Sequence, residues 1–197
     1  MAREPLIFAF HDETLYTFER GDEFSGSWFG GPLEATMSGP AFGPHPLHAI
    51  ATLGGKHIPV LKPTLDNNLR AGILLIYGLH YSGCDIEYRV GSGDDVELLR
   101  LAPARSSDDW PYPNYPPLLP YIPLRLSDAP RRTSYDEFAG RFWNMPEQQP
   151  ADLVVAVPPP ATIGMSLWGY WGDAEEVTIV FECDLKEGIV KASNVVS

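Results

Sequence analysis

The positions of proline and glycine constrain the fold of this chain more than any other feature of its sequence. The 197 residues include 20 prolines and 18 glycines, which cluster in separate stretches and follow no repeat. Proline breaks helices and glycine permits sharp turns, so the chain has little room for long helices. The apolar runs between these stretches are short, which is typical of strands. The sequence therefore predicts an α+β fold with a single domain over residues 1–197, dominated by largely antiparallel sheet, with one or two short helices.

Residues 168–184 are predicted to form the segment onto which the other strands pack. In its second half Val177, Ile179 and Phe181 face one way, because strand side chains alternate between two sides. The side chains between them face the other way, and they include Val180 and Glu182. A structural motif at a sharp turn is predicted just before this strand, and its residues are Trp168, Trp171, Gly172 and Asp173.

Further strands are expected wherever short apolar or alternating runs end at turn residues. They are predicted at residues 6–10, 15–18, 72–78, 84–90, 96–101, 152–157 and 189–196, with residues 47–53 forming a strand or a short helix. A helix is expected after Ser134, which forms a capping box with Glu137. Its apolar side would contain Phe138, Phe142 and Trp143, and Pro146 would end it.

Residues 21–46 are rich in glycine and proline and predict a long surface connection. Its aromatic residues would hold it to the rest of the domain, and these are Trp28, Phe29 and Phe42.

The net charge indicates the class of partner, and the cysteine content indicates the cellular compartment. The formal net charge is 14 − 26 = −12, which repels the phosphate backbone of nucleic acids and speeds association with a basic protein. Cys84 and Cys183 form no paired motif, which favours a reducing cytoplasm. No apolar run approaches the roughly 20 residues that span a bilayer. We therefore expect a cytoplasmic protein with a basic protein partner, not a nucleic-acid-binding or membrane protein.

The sequence contains no motif of an established catalytic or cofactor site. It lacks a phosphate loop, a dinucleotide fingerprint and a serine elbow, and its five histidines lack zinc-motif spacing. We therefore predict no catalytic residue, no cofactor and no metal. One alternative remains, a small hydrolase or transferase that uses His80, Cys84 or a buried carboxylate, because a histidine near a cysteine can generate a thiolate.

A segment of alternating aromatic residues and prolines is the strongest recognition feature. Exposed tryptophan and tyrosine on a rigid extended backbone bind at a low cost in entropy. The predicted contact residues, together with two acids that would attract a basic partner, are Trp110, Tyr112, Tyr115, Tyr121, Asp108 and Asp109. The same rings could instead pack the segment against the sheet, or pair with a second copy of the chain.

Three stretches between residues 47 and 197 carry a family resemblance. They are the glycine-started strand 72–77, the proline-rich run 120–125, and Trp171-Gly172-Asp173 followed by a strand and Asp184-Leu185. Together they resemble motifs of the YwqG-like family of uncharacterised bacterial proteins, whose G-G-x-P motif has only a loose counterpart at residues 54–59. The resemblance implies a β-rich α+β fold without an established catalytic site. Because some members occur beside secreted toxin systems, it also implies an immunity protein.

These observations combine into one hypothesis about function. The charge, the aromatic segment and the resemblance favour a non-enzymatic cytosolic binding protein of the immunity type. It would neutralise a basic toxin or effector through an acidic, aromatic-rich surface.

Overall fold

The computed structural model describes residues 4–23, 26–43, 47–61, 72–79, 84–91, 95–102, 118–142, 145–160 and 177–196. The strands within these ranges are β1 (Ile7–His11), β2 (Thr14–Arg20), β3 (Trp28–Gly31), β4 (Thr36–Ser38), β5 (His48–Gly54), β6 (Gly72–Tyr77), β7 (Asp85–Val90), β8 (Asp95–Ala102), β9 (Leu119–Leu126), β10 (Arg131–Arg132), β11 (Leu153–Val157), β12 (Val177–Asp184) and β13 (Ile189–Val196). One helix, α1 (Tyr135–Ala139), lies wholly within them. The described chain is therefore mostly β, and the predicted α+β class is correct only in its dominant strand content.

One sheet contains all of these strands. Their order is β4-β8-β7-β13-β12-β11-β1-β2-β9-β3-β5-β6, and β10 pairs with β2 beside this path. Only β4 and β8 run parallel, and every other described pair is antiparallel, as predicted. No helix in the described ranges is long and apolar enough to cross a membrane.

The central strands are buried on both sides. Ile7, Val155 and Phe181 belong to the main core on one side of the sheet. Phe10, Val154 and Val180 point to the opposite side and pack with Phe138 of α1. We call the side that carries α1 the outer face. The predicted strand over residues 177–184 and its division between two faces are confirmed, whereas the motif at residues 168–173 lies outside the described ranges.

The sheet curls so that its β6 end lies against β7 and β13. Tyr88 of β7 is fully buried, and its side chain reaches the edge of β6 that faces away from β5. Its hydroxyl accepts a hydrogen bond from the N–H of Ile76 and donates one to the carbonyl of Leu74, each 2.8 Å long. Buried backbone groups need such partners, so one side chain satisfies two groups of an edge strand.

The prediction of a long surface connection at residues 21–46 is wrong. The segment contains β3 and β4, and Phe29 of β3 is fully buried between β5 and β9. Trp28 is half-buried, and Phe42 is 55% exposed, so Phe42 does not hold the segment to the core. The glycines indicated a loop, but Gly30 and Gly31 lie within a strand. Both adopt a positive φ where the register between β3 and β9 shifts.

The described end of the proline-rich run, residues 119–126, is part of the sheet, although proline lowers the preference for a strand. Strand β9 contains Pro120 and Pro123, yet it pairs with β3 through its first half and with β2 through its second. The change of partner falls at Pro123, whose carbonyl accepts a hydrogen bond from the N–H of Gly21 at 2.8 Å. A proline lacks only the donor, so it fits where the neighbouring strand supplies donors and requires none in return.

The capping box before α1 is confirmed. The Ser134 hydroxyl accepts from the N–H of Glu137, and the Glu137 carboxylate accepts from the N–H of Ser134. The helix is shorter than predicted, because it ends at Ala139 rather than near Pro146. Phe142 nevertheless packs beside Phe138, with ring centroids 5.5 Å apart. The helix therefore covers the outer face through a small aromatic cluster and divides that face into two exposed parts.

Candidate functional site

An open groove of about 580 Å³ lies on the outer face, where β12, β13 and β7 meet the segment before β11. Four carboxylates and one ammonium group line it, and they belong to Glu87, Asp152, Glu182, Asp184 and Lys191. A smaller recess adjoins it and adds Asp85 and Arg100. We call the groove and its recess the acidic groove.

A row of charges crosses this groove from strand to strand. Directly opposed residues share one side of a sheet, and the row consists of Glu182, Lys191, Glu87 and Arg100 on β12, β13, β7 and β8. Acids and bases alternate along it, so the row is close to neutral. The acids on either side of the row give the groove its excess of negative charge.

Asp184 and Asp152, which lie beside this row, also hold the backbone that forms the wall of the groove. One oxygen of Asp184 accepts the N–H groups of Lys186 and Glu187 at 3.0 and 2.9 Å, which fixes the turn between β12 and β13. One oxygen of Asp152 accepts the N–H of Leu185 at 3.1 Å. Each carboxylate therefore has a fixed position and retains a second oxygen for an incoming cation.

Glu182 of β12 lines the groove and is half-buried. Burial raises the pKa of Glu182 above its usual value, and Lys191 opposes that rise. Burial, with the charge of Glu182, also raises the pKa of Tyr135 to about 12. The phenol thus remains protonated at neutral pH, and its buried hydroxyl has no hydrogen-bond partner among the described residues. The groove therefore contains, near the helix, a carboxylate whose desolvation Lys191 offsets only in part.

Most of the predicted contact residues lie outside the described ranges. These are Asp108, Asp109, Trp110, Tyr112 and Tyr115. Tyr121 is described, and it projects from β9 with 49% of its surface exposed. Its ring is tilted against that of Trp28, with centroids 6.2 Å apart. Tyr121 is thus available for contact, but it lies on β9, away from the strands of the acidic groove.

The acids of the groove were not predicted as a site, although the sequence contains part of the signal. The alternation in residues 84–90 places Asp85 and Glu87 on the more exposed side of β7, and the alternation in β12 places Glu182 on the side away from the main core. What the sequence does not reveal is that β7 lies beside β13, far from it along the chain.

The structure describes only Cys84 of the predicted cysteine–histidine pair, and this cysteine is unsuited to nucleophilic chemistry. Cys84 is fully buried, and burial raises the pKa of its thiol to about 12. Burial likewise raises the pKa of Cys183. His80 lies outside the described ranges. A thiol of high pKa and no access behaves as a small apolar side chain, which disfavours the hydrolase or transferase alternative as far as it depends on Cys84.

We expect iodoacetamide to leave both thiols of the folded protein unmodified at neutral pH, because the reagent attacks exposed thiolate. Mass spectrometry of the intact protein would show this, and the same reagent after unfolding in guanidinium should modify both cysteines. Rapid modification of Cys84 before unfolding would instead show an activated thiolate and would revive the enzyme alternative.

A serine–histidine pair that the sequence analysis missed lies at the end of β5. The Ser27 hydroxyl accepts the N–H of Gly54 and lies 2.8 Å from Nδ1 of His57, to which it can donate its own proton. Burial lowers the pKa of His57, and the charge of Lys56 lowers it further. Ser27 is fully buried and cannot reach a substrate, so this pair joins β3 to the end of β5.

Within the described part of the chain, no three His, Cys, Asp or Glu residues are grouped in a way that could hold a metal ion. In comparisons with known proteins, no family model, no curated protein and no solved structure matches this chain.

Proposed function

We propose that the protein binds a basic protein partner in the acidic groove. The observation that carries this proposal is the placement of four carboxylates around one open groove with a single lysine among them. A surface of one dominant charge steers an oppositely charged partner and fixes its orientation. The net charge of −12 acts in the same direction at long range.

The geometry of the groove favours a protein segment over a single small cation. Its acids come from two strands, β7 and β12, and from the segment before β11, so several lysine or arginine side chains can each meet a separate carboxylate. Glu87 and Glu182 are half-buried, and burial raises the pKa of Glu182 in particular. A cation placed beside it would lower its pKa again and would stabilise the complex.

The sequence extends this proposal to a class of protein. The family resemblance and the acidic charge together favour an immunity-type protein that blocks a basic toxin or effector in the cytoplasm. Tyr121, beside Trp28, and the neighbouring aromatic–proline segment would supply a second contact area for the same partner.

A capture experiment with charge-reversed variants tests the groove. We expect the tagged wild-type protein to retain one basic protein from a lysate of its host, and the double variant Asp85→Lys, Glu87→Lys to lose it. Reversal replaces attraction by repulsion at the centre of the contact and should weaken binding at least tenfold, which is about 1.4 kcal/mol or more. Isothermal titration with the purified partner would give the change in Kd.

The matched control is Glu23→Lys, Glu34→Lys, which changes the net charge equally at exposed positions away from the groove. This control should bind within about twofold of wild type, apart from the loss of long-range attraction that salt screens. Equal losses in both double variants would show that only net charge matters. Unchanged binding in the groove variant would remove the groove from the interface.

A further inference from the structure

A second open groove lies on the outer face, on the other side of α1 from the acidic groove. It measures about 960 Å³ and lies over β1, β2 and β9. Three arginines from three different parts of the chain line it, and they are Arg125, Arg131 and Arg141. We call it the arginine groove. Such a concentration of guanidinium groups is unexpected in a chain with only 14 basic residues among 197.

Two of these guanidinium groups are positioned by a side-chain contact, and the third arginine belongs to a paired strand. Arg125 donates to the carboxylate of Glu19, which is buried, while the arginine itself stays half exposed. The guanidinium of Arg141 lies 6.0 Å from the ring centroid of Phe8. Arg131 belongs to β10, whose backbone pairs with Leu15 of β2. Guanidinium groups that are fixed before binding lose less entropy when they form hydrogen bonds.

Two of the three positive charges are available to a ligand. Among the described residues, Arg131 and Arg141 form no ion pair, and the carboxylate of Glu137 that both of them influence is already bound by Thr133 and Ser134. Arg125 uses one nitrogen for Glu19 and has further donors to offer.

The rest of the groove contains one further carboxylate, that of Asp128, and otherwise suits an organic ligand better than a bare ion. Phe8 and Leu15 supply an apolar floor, and Ala129 and Pro130 supply an apolar wall. The hydroxyl of Thr17 adds a donor that can rotate toward an oxygen. Pockets for small molecules combine such apolar walls with a few fixed polar groups, and their volumes fall within roughly 300–1,000 Å³.

We propose that the arginine groove binds a small organic oxyanion, a molecule that carries a phosphate group or several carboxylates on a short carbon skeleton. Guanidinium groups bind the oxygens of phosphate and carboxylate in pairs, and the carbon skeleton would lie on Phe8 and Leu15. The ion pair with the buried Glu19 fixes the direction in which Arg125 presents its remaining donors. This site is separate from the proposed partner interface and does not depend on it.

Isothermal titration of the whole protein with phenyl phosphate, pyrophosphate and citrate tests the site at 50 and 200 mM salt. We expect saturable binding of phenyl phosphate or citrate with one molecule per chain, and weaker binding of pyrophosphate, which has no carbon skeleton. Phenyl phosphate and pyrophosphate identify a phosphate site with and without an apolar part, and citrate identifies a carboxylate site. Binding should weaken with salt, because the contacts are ionic, but it should persist at the higher concentration.

Two variants and a control locate the binding. Arg131→Gln and Arg141→Gln should each reduce the affinity of the bound probe about tenfold, because each removes one charge-assisted contact from an exposed position. The control Arg89→Gln removes an exposed arginine that lines neither groove and should leave the affinity unchanged. The proposal is overturned if neither phenyl phosphate nor citrate binds saturably, or if the variant with both Arg131→Gln and Arg141→Gln binds as tightly as wild type.

Discussion

Replacement of Gly30 by alanine should destabilise the protein by about 2–5 kcal/mol, because the new methyl group has no space and the backbone is strained. A Cβ at this position would lie 2.3 Å from the carbonyl oxygen of Pro120 and 2.9 Å from Cβ of Leu119. Both contacts are with β9, which pairs with β3 and β2 and so connects the strands before it in the sheet order to those after it. The backbone at Gly30 also has a φ of +65°, which residues with a side chain rarely adopt.

Gly26 provides the matched control for this prediction. It has a φ of +94°, but a Cβ there would meet no atom within 4 Å. Gly26→Ala should therefore cost only the backbone strain, about 1–2 kcal/mol. Urea unfolding of both variants, monitored by tryptophan fluorescence, gives the two free energies of unfolding. Equal values would show that β3 and β9 can move apart to accept the methyl group.

Replacement of Tyr88 by phenylalanine should cost about 2–4 kcal/mol, although it removes a single oxygen atom. That oxygen satisfies the N–H of Ile76 and the carbonyl of Leu74, both on the buried strand β6. Without it, two polar backbone groups lie buried without their partner, and each such group costs about 1–3 kcal/mol. In a domain of this size the thermal midpoint should fall by roughly 2–4 °C per kcal/mol.

The control for this variant is Tyr121→Phe, which removes a hydroxyl from a ring that is 49% exposed. That change should alter the free energy of unfolding by less than about 0.5 kcal/mol. Hydrogen exchange of the Ile76 amide adds a local measurement, and its protection should fall more than that of amides in β12. If Tyr88→Phe is as stable as wild type, water or another group must satisfy the edge of β6.

Much of the sheet could be predicted because its strands follow local rules. The hairpin of β1 and β2 turns at Asp12 and Glu13, both with positive φ, and the apolar runs on either side identify its strands. Alternation likewise identified β7, and a continuous apolar run identified β6, which is buried throughout. Each of these signals lies within a few neighbouring residues.

The failures arose where distant contacts override local preferences. Gly30 and Pro120 each argue against a strand in isolation, yet they contact one another because each accommodates the backbone of the other. The acidic groove escaped prediction for a related reason. Its charged row depends on the pairing of β7 with β13, and residues about one hundred positions apart show no sign of that pairing in one sequence.

Zero-length crosslinking of the captured complex is the most direct test of the proposed partner site. A carbodiimide joins a carboxylate only to an amine that touches it, and peptide mass spectrometry identifies both residues. If the acidic groove binds the basic partner, crosslinks should join lysines of that partner to Asp85, Glu87 or Glu182. Crosslinks confined to acids elsewhere, such as Glu23 and Glu34, would contradict the proposed site.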